Sequence, residues 1–107
     1  MAFDALEAAV ELAEALAPVE ACIRRQRRSL AEQIGRAGES IVLNLGEGRM
    51  RAGLDRRDLW RRAAGSAAEV TVALRLARAR GYVAADALAN VDALLDRVRA
   101  MLWRLTH

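Results

Sequence analysis

Three groups of residues have types and spacings that could carry chemistry. Glu47 and Glu69 both flank inward-facing helical stripes and could meet as a carboxylate pair, the arrangement that general acid–base catalysis or a metal ion would need. Gly46 to Gly53, GEGRMRAG, has the look of a loop that cradles phosphates. Arg56, Arg57 and Arg61, with Arg49, Arg27 and Arg28, could hold phosphate oxygens through guanidinium forks.

The first two groups weaken on inspection. A dinucleotide fingerprint needs a preceding strand and a third glycine at fixed spacing; here Gly53 comes late and the segment before Gly46 reads as a helix. No Lys-Ser or Lys-Thr pair follows. For Glu47 and Glu69, structural satisfaction by hydrogen bonds is the commoner fate of polar groups beside a core. The sole histidine is His107 at the chain end and the sole cysteine is Cys22. Neither the paired Glu-x-x-His ligands of di-iron bundles nor a His-assisted nucleophile can be assembled from them. The expectation is a non-enzyme with no metal and no cofactor.

The arginines survive better. All 17 basic residues are Arg, which a GC-rich coding bias explains as simply as selection for phosphate binding does. Their placement says more than the net charge of +3: residues 1–20 hold Asp4, Glu7, Glu11, Glu14 and Glu20 with no Arg, whereas 21–62 hold eleven Arg against five acids. Cations are favoured near helix C-termini, which accounts for Arg24, Arg25, Arg49, Arg51, Arg75, Arg78 and Arg80. Pairs four apart, Glu20–Arg24, Glu32–Arg36, Glu47–Arg51 and Asp58–Arg62, account for others. Arg56, Arg57 and Arg61 crowd the expected start of a helix, where the dipole opposes them, so local structure explains these least.

The elements that must position these groups are helices. With 107 residues, one Pro and four aromatics, Phe3, Trp60, Tyr82 and Trp103, the chain reads as one all-α domain with an aliphatic, alanine-rich core. Helices are expected near 2–17, extending over 18–27 beyond a break or kink at Pro18, then near 30–51, 55–80 and 86–105. Phe3, Leu6, Val10, Ala13 and Ala17 predict the inner stripe of the first. Ser29 and Glu32 form a capping-box pattern that would start the second at Leu30, with Leu30, Ile34, Ala37, Ile41, Leu45 and Gly48 inward. Gln33, Ser40, Asn44, Glu47 and Arg51 make a polar stripe beside that face. Leu43 and Met50 lie nearly opposite it, and this second apolar seam predicts a subunit contact.

Gly53 reads as a stop and Asp55 as the cap of the third helix, with Leu59, Ala63, Ser66, Val70, Ala73 and Ala77 inward. Gly81 should end it. Asp86 is a cap candidate before the stripe Leu88, Val91, Leu95, Val98, Leu102 and Leu105. Short connections favour an antiparallel up-down-up-down four-helix bundle. That topology gathers Arg49, Arg51, Arg56, Arg57, Arg61 and Arg62 at one end and Arg27, Arg28, Arg78 and Arg80 at the other. With little aromatic interleaving, the composition supports sequence-tolerant contact with RNA or DNA backbones. No apolar run approaches the roughly 20 residues of a membrane helix, and no segment has a signal-peptide layout; a cytoplasmic protein with no membrane partner is expected.

Gln33-Ile34-Gly35-Arg36-Ala37, Ser40-Ile41, Asn44-Leu45-Gly46-Glu47-Gly48, Arg51 and Ala63-x-Gly65-Ser66-x-x-Glu69 together resemble the bacterial four-helix-bundle family that includes the 23S rRNA intervening-sequence proteins. The accessory variability determinants of diversity-generating retroelements look like relatives. The resemblance covers about Leu30 to Tyr82 and implies a homopentamer with a basic surface. It also implies binding to nucleic acid and to a partner protein such as a reverse transcriptase if one is encoded nearby. The chain departs from that pattern at Gly46, where the family commonly has Ala, and at Gly35 and Glu39, where Arg and a small residue are frequent. The rival reading is a purely structural or protein-binding assembly whose polar stripe fixes helix register.

Overall fold

Apolar residues at helical spacing, interrupted by Gly and short polar connections, build four helices in a computed structural model that describes residues 3–107. They are α1 (Asp4–Arg24), α2 (Arg28–Arg49), α3 (Gly53–Ala79) and α4 (Ala89–Thr106), with a single 3₁₀ turn at Asp86–Leu88. The described residues contain no strand. Position 2, the expected start of the first helix, lies outside them. Helix α1 packs against α2 and α4, and α3 against the same two. Gly48 meets Arg56, Leu45 meets Trp60 and Ser40 meets Ser66, so residue numbers fall along α2 as they rise along α3.

The second helix buries all six positions that its spacing nominates, from Leu30 to Gly48. Its start differs from expectation. The chain leaves α1 through a turn in which the Gln26 and Arg27 N–H groups donate to Ile23 O, and it re-enters helix at Arg28. Ser29 therefore sits inside the first turn, not at the cap, and Glu32 pairs with Arg28 at 3.3 Å instead of reaching back to Ser29 or on to Arg36. The helix ends at Arg49, with Met50 as C-cap.

The first helix corrects two expectations. It runs unbroken through Pro18, which is exposed, so the carbonyl that loses its i+4 donor, that of exposed Glu14, can turn to water. Its buried face is Ala5, Ala8, Ala9, Leu12, Leu16, Val19 and Ile23, roughly a third of a turn from the stripe that Phe3, Leu6, Val10, Ala13 and Ala17 predicted. Ala17 is exposed, as is Val10, while Phe3, Leu6 and Ala13 are half-buried.

Gly53 takes φ +61° and opens α3, so Asp55 lies within the first turn, where its charge suits the dipole, not at the cap. Helix α3 buries Ala63, Ala67, Val70, Leu74 and Ala77, leaving the expected Leu59, Ser66 and Ala73 half-buried. Gly81 at φ +76° closes it. The Tyr82 N–H donates to Ala77 O at 2.8 Å and the Gly81 N–H to Arg78 O at 3.0 Å, a Schellman cap. Asp86 caps nothing and instead opens the 3₁₀ turn. Along α4, Val91, Leu95, Val98 and Leu102 are buried with Leu88 before them; Thr106 takes the last inner position, its hydroxyl donating to Leu102 O at 2.7 Å, and Leu105 is half-buried.

Candidate functional site

At the end where α2 turns into α3, the glycine run is helical and the arginines are engaged. Gly48 is buried, and a Cβ there would stand 2.5 Å from Trp60 Nε1. The missing side chain lets the indole lie on α2, where its N–H donates to Leu45 O at 3.3 Å and its ring stacks on Phe3 at a centroid distance of 5.5 Å. Arg56 lies over the Trp60 ring, 5.3 Å from its centroid. Its Nε donates to Gly48 O and its Nη2 to Arg49 O, each at 3.1 Å. These are carbonyls of the last turn of α2, which have no i+4 donor of their own, so Arg56 is a cap supplied from the next helix.

Arg57 acts likewise at 3.4 Å on Thr106 O, at the end of α4. The dipole of their own helix opposes Arg56 and Arg57, and what holds them is the C-terminal ends of neighbouring helices. Arg49 lies over the Phe3 ring at 5.7 Å, and Arg51 and Arg62 pair with Glu47 and Asp58 at 3.3 Å each. Arg61 is exposed and has no partner among the described residues.

In the middle of the molecule, the Ser66 hydroxyl donates to Ser40 Oγ at 2.8 Å, and Asn44 Nδ2 donates to Ser40 Oγ and Ser40 O at 2.9 Å each. This half-buried chain fixes α2 against α3. Glu47 and Glu69 are both exposed and do not meet. From the α2–α3 register, Glu69 stands roughly 16 Å along the axis from the level of Glu47. Arg36 and Gly65 are exposed, and nothing lies within 4 Å of a Cβ built on Gly65. No group of three or more His, Cys, Asp or Glu side chains gathers among the described residues.

The other end of α2 is built differently. Arg27, Ser29, Gln33, Arg80 and Tyr82, with Leu30 and Leu76 as apolar walls, line a cavity of about 360 Å³. No carboxylate lines it, and α2 has neither an acid in its first turn nor a side-chain cap. Arg28 lies outside the cavity lining, paired with Glu32. Tyr82 was missed as a site residue. Its signal was its place directly after the capping Gly81 and two residues after Arg80, which sets a ring beside a cation at a fixed corner.

Leu43 and Met50, the two residues of the expected second seam, are both exposed but do not share one groove. Leu43 is 68% exposed and joins Val10, Ala13 and Val42, rimmed by Glu14 and Glu39, in a groove of about 510 Å³ between α1 and α2. Met50 is exposed too but outside the groove lining, as is Leu54 in the first turn of α3. No helix among the described residues is long and apolar enough to cross a membrane.

Residues 2–104 match the model of the family described as 23S rRNA-intervening sequence protein. The fold is similar to the crystal structure of a protein of unknown function from the S23 ribosomal protein family of Bacteroides thetaiotaomicron. The TM-score is 0.86 at 17% sequence identity, covering 95% of this chain and 97% of that one. No curated protein matches the chain.

Proposed function

Because the chain belongs to the 23S rRNA-intervening sequence protein family, we infer that it is a non-enzymatic, cytoplasmic binding module, an antiparallel four-helix bundle that assembles as a homopentamer and contacts RNA or DNA phosphates through its arginine-rich ends. The observation that carries the ligand is that exposed arginines with no partner among the described residues stand at both ends, Arg27 and Arg80 at one and Arg61 at the other. The falling and rising register of α2 and α3 supports the antiparallel arrangement. The groove at Val10, Val42 and Leu43 supports assembly, since apolar surface of that kind gains most by being covered.

Fluorescence anisotropy with mixed-sequence single-stranded RNA and DNA tests the ligand. Binding should be measurable at low salt and fall steeply as salt rises, through counterion release; no binding at low salt removes the reading. Light scattering on the same sample should give a mass of five chains, and a monomer would contradict the assembly. The groove also favours a second reading, a structural assembly or a dock for a partner protein such as a reverse transcriptase encoded nearby. Oligomers that bind no nucleic acid would favour it.

A further inference from the structure

We propose that the cavity between the first turn of α2 and the end of α3 binds one phosphorylated nucleotide unit, its phosphate held by Arg27 and Arg80 and its base laid against Tyr82 and Leu76. The inference rests on the phosphate-binding reading and assigns it to one place and one ligand chemistry.

Charge comes first. Arg27 and Arg80 both line this cavity and no Asp or Glu does. Among the described residues, neither the Arg27 nor the Arg80 side chain donates to an acceptor, and the Ser29 hydroxyl, Gln33 amide and Tyr82 hydroxyl have no side-chain partner. Donors that converge on a concave space without satisfying one another are available to an acceptor-rich guest, and a phosphate, all acceptors, is matched by paired guanidinium forks. Size comes next: about 360 Å³ lies at the small end of ligand pockets, room for a nucleotide and not for a folded partner.

The aromatic completes the case. Phe3 and Trp60 stack on each other under Arg49 and Arg56, and Trp103 stacks on His107 at 3.4 Å. Tyr82 is the one aromatic residue with no ring or cation partner among the described residues, and it lines the cavity half-buried. Its backbone is pinned on both sides, the N–H donating to Ala77 O at 2.8 Å and the carbonyl accepting the Cys22 thiol at 3.6 Å. A ring on a fixed backbone beside two cations is a stacking platform that tolerates any base.

The test is titration at low salt with AMP, inorganic phosphate and adenosine, followed by calorimetry or amide chemical shifts. AMP should bind more tightly than phosphate, and adenosine least. Arg27→Gln with Arg80→Gln should weaken AMP about tenfold or more while leaving Tm unchanged, because those side chains hold nothing in the protein. Tyr82→Leu should weaken AMP and leave phosphate alone, and Tyr82→Phe should restore AMP binding. Arg99→Gln, on α4 and outside the cavity lining, should change neither. Absence of AMP binding at millimolar concentration, or AMP binding indifferent to the double arginine variant, overturns the proposal. If single-stranded RNA binds equally to the double variant, the cavity assignment fails and the broader reading stands. If AMP binds as expected and RNA does not, the reverse holds.

Discussion

Where α2 ends, Arg56 donates to the Gly48 and Arg49 carbonyls and Arg57 reaches Thr106 O; where α2 begins, the Arg27 and Arg80 side chains line a cavity and donate to no group among the described residues. The contrast follows from what a helix offers at each terminus. The last turn of α2 presents carbonyls without i+4 donors, Gly48 O taking an i+3 bond from the Arg51 N–H at 3.1 Å, and an arginine from the next helix is a good further partner for them. The first turn of α2 presents N–H groups, which an arginine cannot satisfy, and at the end of α3 beside it the Ala77 and Arg78 carbonyls are already taken by the Tyr82 and Gly81 N–H groups. A cluster of arginines is thus structural or available according to the helix end it meets, and counting charge does not distinguish the two. The span of 42 Å along the molecule keeps the ends apart.

The sharpest way to break this comparison is at the built end. Gly48→Ala would drive a Cβ into Trp60, which can retreat only by giving up its bond to Leu45 O and its stack on Phe3. Overpacking of this kind costs about 1–3 kcal/mol, offset in part by the roughly 1 kcal/mol that Ala gains over Gly in a helix. Gly46→Ala is the control. Its Cβ would lie 4.0 Å from Leu6 Cδ1, ordinary contact, so thermal denaturation should show it neutral or up to about 1 kcal/mol stabilised. Equal effects of the two changes would mean that the Trp60 seat is unimportant.

Next in size is Arg56→Gln, which removes two charge-assisted bonds to carbonyls of a half-buried turn and should cost about 1–2 kcal/mol in denaturant melts. Arg56→Lys should recover only part, since an ammonium lacks the planar fork that reaches both oxygens. A variant with unchanged stability would return Arg56 to the pool of arginines available for ligand, and the difference between the ends would shrink.

How far the sequence foretold this depends on the residue types in each stretch. Along α2, Leu and Ile recur at steps of three and four with polar residues between, so one face alone can be inward, and all six nominated positions are buried. Helix α1 offers alanines at 5, 8, 9, 13, 15, 17 and 21, which fit an inner or an outer face almost equally, and two partial stripes compete. The stripe built on Leu6 and Val10 lost to the one built on Leu12 and Leu16. Its Val10 and Ala13 became the wall of the groove shared with Leu43. That Gly48 marks a close approach was readable from its inward position, but that Trp60 is what approaches was not, because the pairing of α2 with α3 is a tertiary fact. For the same reason Arg56 and Arg57 stood without explanation: their acceptors lie on other helices. The cavity at Arg27, Arg80 and Tyr82 joins residues about fifty positions apart and exists only once α2 and α3 are packed.

The smallest effect concerns a group between the two ends. Burial pushes the Glu20 carboxyl above its ordinary value of 4.5, with Arg24 pulling it down and Glu39 adding to the rise. Below 4.5 the group is protonated whether the chain is folded or not and costs nothing. As pH climbs through its raised folded value it ionises in both states, and the folded state alone bears the desolvation. Glu20 therefore subtracts from stability at neutral pH, and Glu20→Gln should raise Tm slightly at pH 7 with the gain vanishing in melts below 4.5. Because the residue is half-exposed, solvent screens most of this, and the shift should be the least of those predicted. A gain that persists undiminished in acid would show that packing against Gly35, where Glu20 Oε1 sits 2.6 Å from the place of a Cβ, and not charge, is what the carboxyl contributes.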